Sequence, residues 1–196
     1  MEQIEAFILA GGASSRMGTD KSQLLIGEKT FNEHIAATLL EIVETVTVVG
    51  RSLADPRLKS VADVYPQWGA LGGLHAALNA CKSDWALVVA CDLPFVGADL
   101  FRRLATLRGD HDAVVPVQPD QRVQPLCALY RTEPCLLQAT GLIQAGKRRP
   151  LDLLQVVNTR LVPFAEIQDL DHAQQFFLNI NTPEDYYEAT RNEERI

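Results

Sequence analysis

Residues 4–21 read IEAFILAGGASSRMGTDK, and this stretch decides the fold class. Its first half is a mostly apolar run with the length and composition of a buried strand. Two adjacent glycines follow at once, Gly11 and Gly12, and their backbone N–H groups can converge on an anion because no side chain intervenes. Arg16 and Lys21 add two cations to the same loop. A strand that ends in such a loop is typical of an open α/β sheet that binds phosphate groups at the carboxyl ends of its strands.

The rest of the chain alternates apolar, β-branched runs with amphipathic helical segments. The predicted strands are residues 4–10, 46–50, 60–63, 85–91, 113–117 and 126–130. The predicted helices are residues 31–42, 71–81, 98–107, 133–145, 150–156 and 183–189. Because the strands are almost continuously hydrophobic, they predict a mostly parallel sheet covered by helices on both faces. We therefore expect a three-layer α/β/α fold in a single domain over residues 1–196, with a frayed charged tail at 191–196.

Composition and net charge argue against several classes of function. The 196 residues are 47% hydrophobic and 22% charged, as in an ordinary globular protein, and no apolar stretch is long enough to span a bilayer. The net charge of −7 disfavours nucleic acid and anionic membranes as partners, so an anionic ligand needs a local cluster of cations. The four cysteines form no CxxC pair, and the N-terminal segment does not read as a secretory signal. We expect reduced cysteines and a cytoplasmic protein.

The glycine-rich loop differs from two common phosphate-binding loops. A Walker A loop has G-x4-G-K-[ST], but here Thr19 and Asp20 separate Gly18 from Lys21. The dinucleotide fingerprint G-x-G-x-x-G is absent. A glycine-rich turn with two solvated cations is the alternative interpretation. The position of the whole string at the end of the first strand favours a polyphosphate cradle.

The string from Leu9 to Lys21 resembles the signature L-A-[GA]-G-x-[SG]-x-R-M-G-x-[DP]-K of the MobA-like NTP transferases, nucleotidyltransferases that join a nucleoside monophosphate to a phosphorylated acceptor. Within that family, Gly11 and the pair Asp20-Lys21 resemble the molybdenum cofactor guanylyltransferases. Later segments match in the same order, so the resemblance covers nearly the whole chain and implies a Rossmann-like nucleotidyltransferase fold. It implies that the nucleotide-binding and catalytic residues of the first loop are Leu9, Ala10, Gly11, Gly12, Arg16 and Lys21, of which Arg16 and Lys21 are catalytic.

Asp63 ends a predicted strand and precedes the sequence YPQWGALGG at residues 65–73. The family has a similar Asp followed by G-P-L-[GA]-G. An aspartate there can accept hydrogen bonds from the N1–H and N2–H₂ edge of guanine or from a ribose hydroxyl, and a turn or cap residue is the alternative. Gly72 and Gly73 would let an anionic ligand approach a helix N-terminus. The resemblance therefore assigns Asp63 to the nucleotide and the two glycines to the acceptor side.

The sequence VVACDLP at residues 88–94 places Asp92 directly after a buried strand. Magnesium prefers hard oxygen ligands, usually one or two carboxylates together with substrate phosphates and water. The motif resembles the family's [CG]-D-[LTM]-P, in which the Asp binds Mg²⁺. An Asp turn before proline is the alternative. The resemblance implies that Asp92 is a catalytic, nucleotide-binding and metal-binding residue.

Two further motifs resemble the acceptor side of the family. Gln124 begins QPLCALY at residues 124–130, and it could contact a pterin or simply end a loop. Asn179 and Asn181 belong to NINTPED at residues 179–185; in an extended segment their side chains share one face, although Asn181 could instead cap the last helix. The basic run at residues 147–149 has no assigned role, and a solvated helix end is its ordinary interpretation.

These expectations combine into one reaction. The resemblance implies transfer of GMP from GTP to the phosphate of molybdopterin or the molybdenum cofactor, with Mg²⁺ as cofactor and with cofactor-delivery or molybdoenzyme maturation proteins as partners. The second strand ends in VVGRS at residues 48–52, without the Asn that guanylyltransferases can carry there. A CTP-dependent enzyme therefore stays open as an alternative. Transfer to another small acceptor and a non-catalytic nucleotide-binding adaptor are further alternatives, although Arg16, Lys21 and Asp92 argue against the adaptor.

Overall fold

The computed structural model describes residues 3–10, 25–50, 55, 57–180 and 185–186. In this part of the chain the strands are β1 (Ile4–Leu9), β2 (Leu25–Ile26), β3 (Lys29–Thr30), β4 (Val46–Val49), β5 (Leu58–Val61), β6 (Trp85–Ala90), β7 (Ala113–Pro116), β8 (Cys127–Arg131) and β9 (Thr159–Val162). The α-helices are α1 (Phe31–Leu39), α2 (Gly69–Ala80), α3 (Ala98–Thr106), α4 (Thr132–Gln144) and α5 (Pro150–Leu154). Seven of the strands form one sheet in the order β5-β4-β1-β6-β8-β7-β9, and β2 and β3 form a separate hairpin.

One half of the sheet is purely parallel. β1 lies between β4 and β6, and β4 also pairs in parallel with β5. All six residues of β6 are buried, because helices cover both faces of the sheet. The carboxyl ends of β5, β4, β1 and β6 therefore lie along one edge.

The other half is mixed. β8 runs antiparallel to both of its neighbours, β6 and β7, while β9 pairs in parallel with β7. The predicted mostly parallel sheet is thus confirmed, with one reversed strand. The apolar pattern of β8 does not encode this reversal, because a strand buried on both faces has the same composition in either direction.

The core confirms the three layers. Along β1, Ala6 and Ile8 face the cluster that contains α1 and α3, whereas Phe7 and Leu9 face the cluster that contains α2, α4 and α5. Successive side chains of a strand point to opposite faces, so this alternation puts helices on both sides of the sheet. A third, smaller cluster joins the β2–β3 hairpin to the residues around Ile180.

Helix α1 begins with a capping box. The Glu33 backbone N–H donates to Thr30 Oγ1, and the Thr30 backbone N–H donates to Glu33 Oε2. The helix ends at Leu39 rather than at residue 42, because the following N–H groups of Glu41 and Ile42 donate to carbonyls three residues back instead of four. The apolar period continues through that tighter turn, which is why periodicity overestimates the length.

Several elements differ from the sequence prediction. The strand predicted at 60–63 is β5, two residues earlier, and β2, β3 and β9 were not predicted, since two-residue strands and a polar edge strand carry too few apolar positions. Of the helix predicted at 183–189, Asp185 and Tyr186 are helical; its other residues and the tail at 191–196 lie outside the described residues. Within the described ranges, no helix combines the length and apolar composition needed to cross a membrane.

Candidate active site

The carboxyl edge of the parallel strands brings several predicted residues together. Immediately after β1, the Ala10 N–H donates to the Val49 carbonyl at 3.1 Å, and the Leu9 carbonyl accepts the Cys91 N–H at 3.2 Å. Leu9 and Ala10 are both buried. The start of the glycine-rich segment therefore lies directly beside the segment that carries Asp92.

Asp92 is half-buried in the turn that follows β6. Its carbonyl accepts the Ile180 N–H at 3.1 Å, which places Asn179 in the adjoining segment. The neighbouring Ala90 N–H donates to the Leu126 carbonyl at 2.8 Å. The chain around Asp92 is thus joined by hydrogen bonds to the ends of three other predicted motifs.

Gln124 closes the connection between β7 and β8. Its backbone N–H donates to the Pro116 carbonyl at 3.0 Å, and its carbonyl accepts the Cys127 N–H at 3.2 Å. The interpretation of Gln124 as a residue that ends a loop is therefore correct for its backbone. A contact between its side chain and an acceptor stays a prediction.

Asp63 lies two residues beyond β5, at the outer end of the same edge. Its side chain is half-buried, and its Oδ1 is enclosed without a hydrogen-bond partner in the described part of the chain. Burial raises the pKa of this carboxyl group above its ordinary value. An enclosed carboxylate oxygen without a donor is costly, so this atom is a good acceptor for the N–H groups of a ligand.

The two aspartates stand at opposite ends of the parallel strands. Three strand spacings separate β5 from β6, which corresponds to about 14 Å. A nucleotide has a similar reach from the edge of its base to its phosphates. This edge can therefore hold a base at Asp63 and phosphate groups at Asp92.

Gly72 and Gly73 have packing roles that the sequence did not reveal. A Cβ atom at Gly72 would lie 2.9 Å from the Cβ of Trp68 and 3.2 Å from the Tyr65 carbonyl oxygen, closer than such atoms normally approach. A Cβ at Gly73 would meet the Leu9 side chain at 3.6 Å, an ordinary contact. The turn before α2 packs onto its own helix because position 72 is glycine, and the acceptor contact predicted for both glycines stays a prediction.

Part of the predicted site falls in undescribed segments. Gly11, Gly12, Arg16, Lys21 and Asn181 lie outside the described residues, as does the stretch 51–54 that follows β4. The structure describes the residues on either side of the glycine-rich segment. One side is Ala10 at the carboxyl edge, and the other is the β2–β3 hairpin, where Leu25 accepts a 2.6 Å hydrogen bond from the hydroxyl of Tyr186 through its carbonyl.

The basic run at residues 147–149 is not simply a solvated helix end, because it contacts the turn before α2. The Lys147 carbonyl accepts the indole Nε1–H of Trp68 at 2.7 Å, and the Arg148 carbonyl accepts the Leu71 N–H at 3.2 Å. The Arg148 guanidinium lies 4.6 Å from the centre of the Trp68 ring, and Arg149 forms a 3.0 Å ion pair with Asp152. Trp68 is the residue that sequence reasoning missed, because its partner is 79 positions away and no local pattern links them.

A long segment after β9 carries Asn179 back to the site. Phe176 is buried in it and packs against Gly97, the residue that precedes α3. Arg103 of α3 and Asp169 form an ion pair at 2.8 Å that holds the same segment. Packing against α3 thus determines where the chain meets Asp92.

We expect Gly97→Ala to destabilise the protein by about 1–3 kcal/mol. The new Cβ would lie 2.8 Å from Cε1 of Phe176, a ring enclosed in the core that has little room to move. Gly141→Ala on the exposed face of α4 is the matched control, because its Cβ meets nothing within 4 Å; it should stabilise the helix by about 0.5–1 kcal/mol. Denaturant unfolding measures both, and equal effects would contradict the role of the Gly97–Phe176 contact.

Comparison with known proteins identifies the family. Residues 6–159 match the MobA-like NTP transferase domain. The chain belongs to this family. The chain is similar to a probable molybdenum cofactor guanylyltransferase of Clostridium perfringens, 32% identical over 96% of this chain and 97% of the relative. A relative of the same description in Pelotomaculum thermopropionicum is 32% identical over 96% and 93%.

Solved structures agree on the fold. Molybdopterin-guanine dinucleotide biosynthesis protein A of Archaeoglobus fulgidus superimposes with a TM-score of 0.80 at 24% identity, covering 98% of this chain and all of that one. The 2-C-methyl-D-erythritol 4-phosphate cytidylyltransferase of Thermus thermophilus gives 0.72 at 18% identity, covering 99% and 100%. The chain is thus an enzyme with the α/β nucleotidyltransferase fold, and the predictions of family, fold class and enzyme class are confirmed.

Proposed function

We propose that this nucleotidyltransferase transfers GMP from GTP to the phosphate of molybdopterin or the molybdenum cofactor, which forms the guanine dinucleotide cofactor and releases pyrophosphate. The observation that carries the proposal is the enclosed Oδ1 of Asp63, which has no hydrogen-bond partner among the described residues. It lies at one end of the strand edge that has Asp92 at its other end. The descriptions of the Clostridium and Pelotomaculum relatives support the same acceptor.

The chemistry of Asp63 favours guanine over cytosine. An ionised carboxylate only accepts hydrogen bonds, and guanine presents two adjacent donors, N1–H and N2–H₂, to such a group. Cytosine presents an acceptor at N3 beside its N4–H₂ donor, so the same carboxylate would face a repelling lone pair. Buried polar groups left unpaired in this way are the usual basis of base discrimination. A hydrogen bond to a ribose hydroxyl is the alternative use of Asp63.

The residues around Asp92 fit a magnesium ion. Asp92 supplies a hard carboxylate oxygen at the mouth of the sheet, and among the described residues no group of three or more His, Cys, Asp or Glu could enclose a metal by itself. A site with one protein carboxylate completed by substrate phosphates suits Mg²⁺. When bound, Mg²⁺ would supply charge stabilisation on the phosphate oxygens.

The transfer needs positioning more than proton chemistry. An oxygen of the acceptor phosphate, already anionic because phosphate monoesters have a second pKa of about 6, attacks the α-phosphorus of GTP as the bond to the β-phosphate oxygen breaks. Pyrophosphate leaves with that electron pair. Arg16 and Lys21 would neutralise the triphosphate, and the N–H groups of Gly11 and Gly12 would bind its oxygens. Gln124, Asn179 and Asn181 would contact the acceptor.

Nucleotide-dependent thermal unfolding tests the proposal. With Mg²⁺ present, GTP at about one hundred times its dissociation constant should stabilise the protein by about 2.7 kcal/mol, and CTP, UTP and ATP at equal concentration should stabilise it far less. Preference for CTP would replace guanylyl by cytidylyl transfer. No response to any nucleotide would mean that nucleotide does not bind before the acceptor, and a pyrophosphate-release assay with GTP and acceptor then tests the transfer directly.

The remaining expectations concern cellular context. Three of the four cysteines, Cys81, Cys127 and Cys135, are buried. We expect reduced cysteines and a cytoplasmic location, where thiols are kept reduced. We also expect proteins that deliver the acceptor or receive the finished cofactor.

A further inference from the structure

We propose that Trp68 is a positioning residue that orients the carboxylate of Asp63 toward the nucleotide base. This inference rests on the proposed guanine contact of Asp63 and adds a second determinant of base selection. Trp68 reaches neither the base nor the phosphates in this proposal. It would act by fixing the turn of residues 63–68 against the loop of residues 147–149.

The turn needs an external restraint. It leaves β5 two residues before Asp63 and reaches α2 through two left-handed residues, Gln67 with φ of 63° and Gly69 with φ of 72°. A non-glycine residue in that region is strained and persists only where its surroundings hold it. The N-terminus of α2 has no side-chain cap that could supply the hold.

Trp68 supplies the restraint through three contacts. Its backbone N–H donates to the Tyr65 carbonyl at 3.1 Å and closes the turn. Its indole Nε1–H donates to the Lys147 carbonyl at 2.7 Å, and its ring lies under the Arg148 guanidinium at 4.6 Å. Arg148 also accepts the Leu71 N–H through its carbonyl at 3.2 Å, so the loop of residues 147–149 holds the turn and the helix start together.

The position of the Asp63 carboxylate depends on that turn. Its Oδ1 has no hydrogen-bond partner in the described part of the chain, so no donor there fixes the direction of this oxygen. The backbone of the turn and the bound ligand therefore determine the orientation of this oxygen. A shift of the turn would therefore change recognition at the base edge, whereas Asp92 lies about three strand spacings away.

The test compares GTP with ITP, which lacks the 2-amino group of guanine, in wild type, Trp68→Phe, Asp63→Asn and the double variant. Phe keeps an aromatic ring under Arg148 and removes the Nε1–H donor. We expect Trp68→Phe to lower the GTP-to-ITP ratio of kcat/KM by about tenfold, mainly through the KM for GTP, which corresponds to about one charge-assisted hydrogen bond. The double variant should match Asp63→Asn, because both changes remove the same contact.

Folding is checked independently of activity. The chain has two tryptophans, and the other, Trp85, is completely buried in β6. In Trp68→Phe the remaining emission reports the core alone, and it should stay that of a buried indole.

The outcomes separate this inference from the proposed function. A lowered ratio in both single variants without further loss in the double variant supports the positioning role. A ratio lost in Asp63→Asn but intact in Trp68→Phe overturns that role and leaves the guanine contact standing. Equal loss of activity toward GTP and ITP in Trp68→Phe also overturns it, since a merely structural role affects both substrates alike. A ratio unchanged in Asp63→Asn overturns the guanine contact, and with it the role of Trp68.

Discussion

Asp92→Asn should lose activity by about a hundredfold or more while the protein keeps its fold. A metal ion that stabilises the charge on transferring phosphates contributes several kcal/mol, and each 1.36 kcal/mol corresponds to about tenfold in rate. Asn has the same shape as Asp but offers Mg²⁺ a neutral oxygen in place of a carboxylate. Steady-state pyrophosphate release over a series of Mg²⁺ concentrations measures the loss, and the variant should need more Mg²⁺ to reach its own maximum.

The fold should survive this change because the backbone at position 92 keeps its contact. The hydrogen bond that joins this turn to the C-terminal segment runs from the Ile180 N–H to the carbonyl of Asp92, which Asn retains. Asp99→Asn is the matched control: it removes one carboxylate from an exposed ion pair with Arg102 on α3, and such pairs contribute little. Near-normal turnover of Asp92→Asn at ordinary Mg²⁺ would contradict the metal assignment.

The sequence predicted the parallel half of the sheet well for a physical reason. Strands buried on both faces are apolar throughout, as in the run at residues 85–91, and this pattern survives small errors at the ends. The predicted site residues Leu9, Ala10, Asp63 and Asp92 could be placed at one edge because the parallel strands β1, β5 and β6 share it.

What the sequence missed depends on contacts between distant residues. Neither the reversed direction of β8 nor the hydrogen bond between Trp68 and Lys147 produces a local pattern in the sequence. Gly72 shows a second kind of gap: the structure adds a packing role against Trp68 and Tyr65 that its sequence context did not indicate. The ligand access expected from that context stays a prediction. A glycine motif indicates that some group approaches the backbone closely, but it does not identify that group.

Asp63→Asn should lower the preference for GTP over CTP and raise the stability of the folded protein. The amide offers one acceptor oxygen and places a donor, Nδ2, where guanine also presents donors. Losing at least one charge-assisted hydrogen bond, of about 1.5–3 kcal/mol, should reduce the preference for GTP over CTP by about tenfold to a hundredfold. Competition between the two nucleotides in the thermal-unfolding experiment measures this preference.

The gain in stability follows from the pKa of Asp63. Because burial raises that pKa in the folded protein, the folded state holds its proton more tightly than the unfolded state, and stability falls as pH rises through the folded pKa. At neutral pH the ionised carboxylate is therefore a cost of the native state, and a neutral amide removes it. The Tm of Asp63→Asn should exceed that of wild type at pH 7, and the difference should shrink as the pH falls to about 3, where the carboxyl group is protonated in both states.

Asp110→Asn controls for net charge, because Asp110 is an exposed carboxylate before β7, at the opposite edge of the sheet. It should leave the nucleotide preference unchanged. A lower Tm for Asp63→Asn at pH 7 would mean that the carboxylate stabilises the turn rather than waiting for a ligand. If the Tm of Asp63→Asn is instead higher than that of wild type, the difference measures the stability that wild type loses by keeping this enclosed carboxylate charged for binding a base.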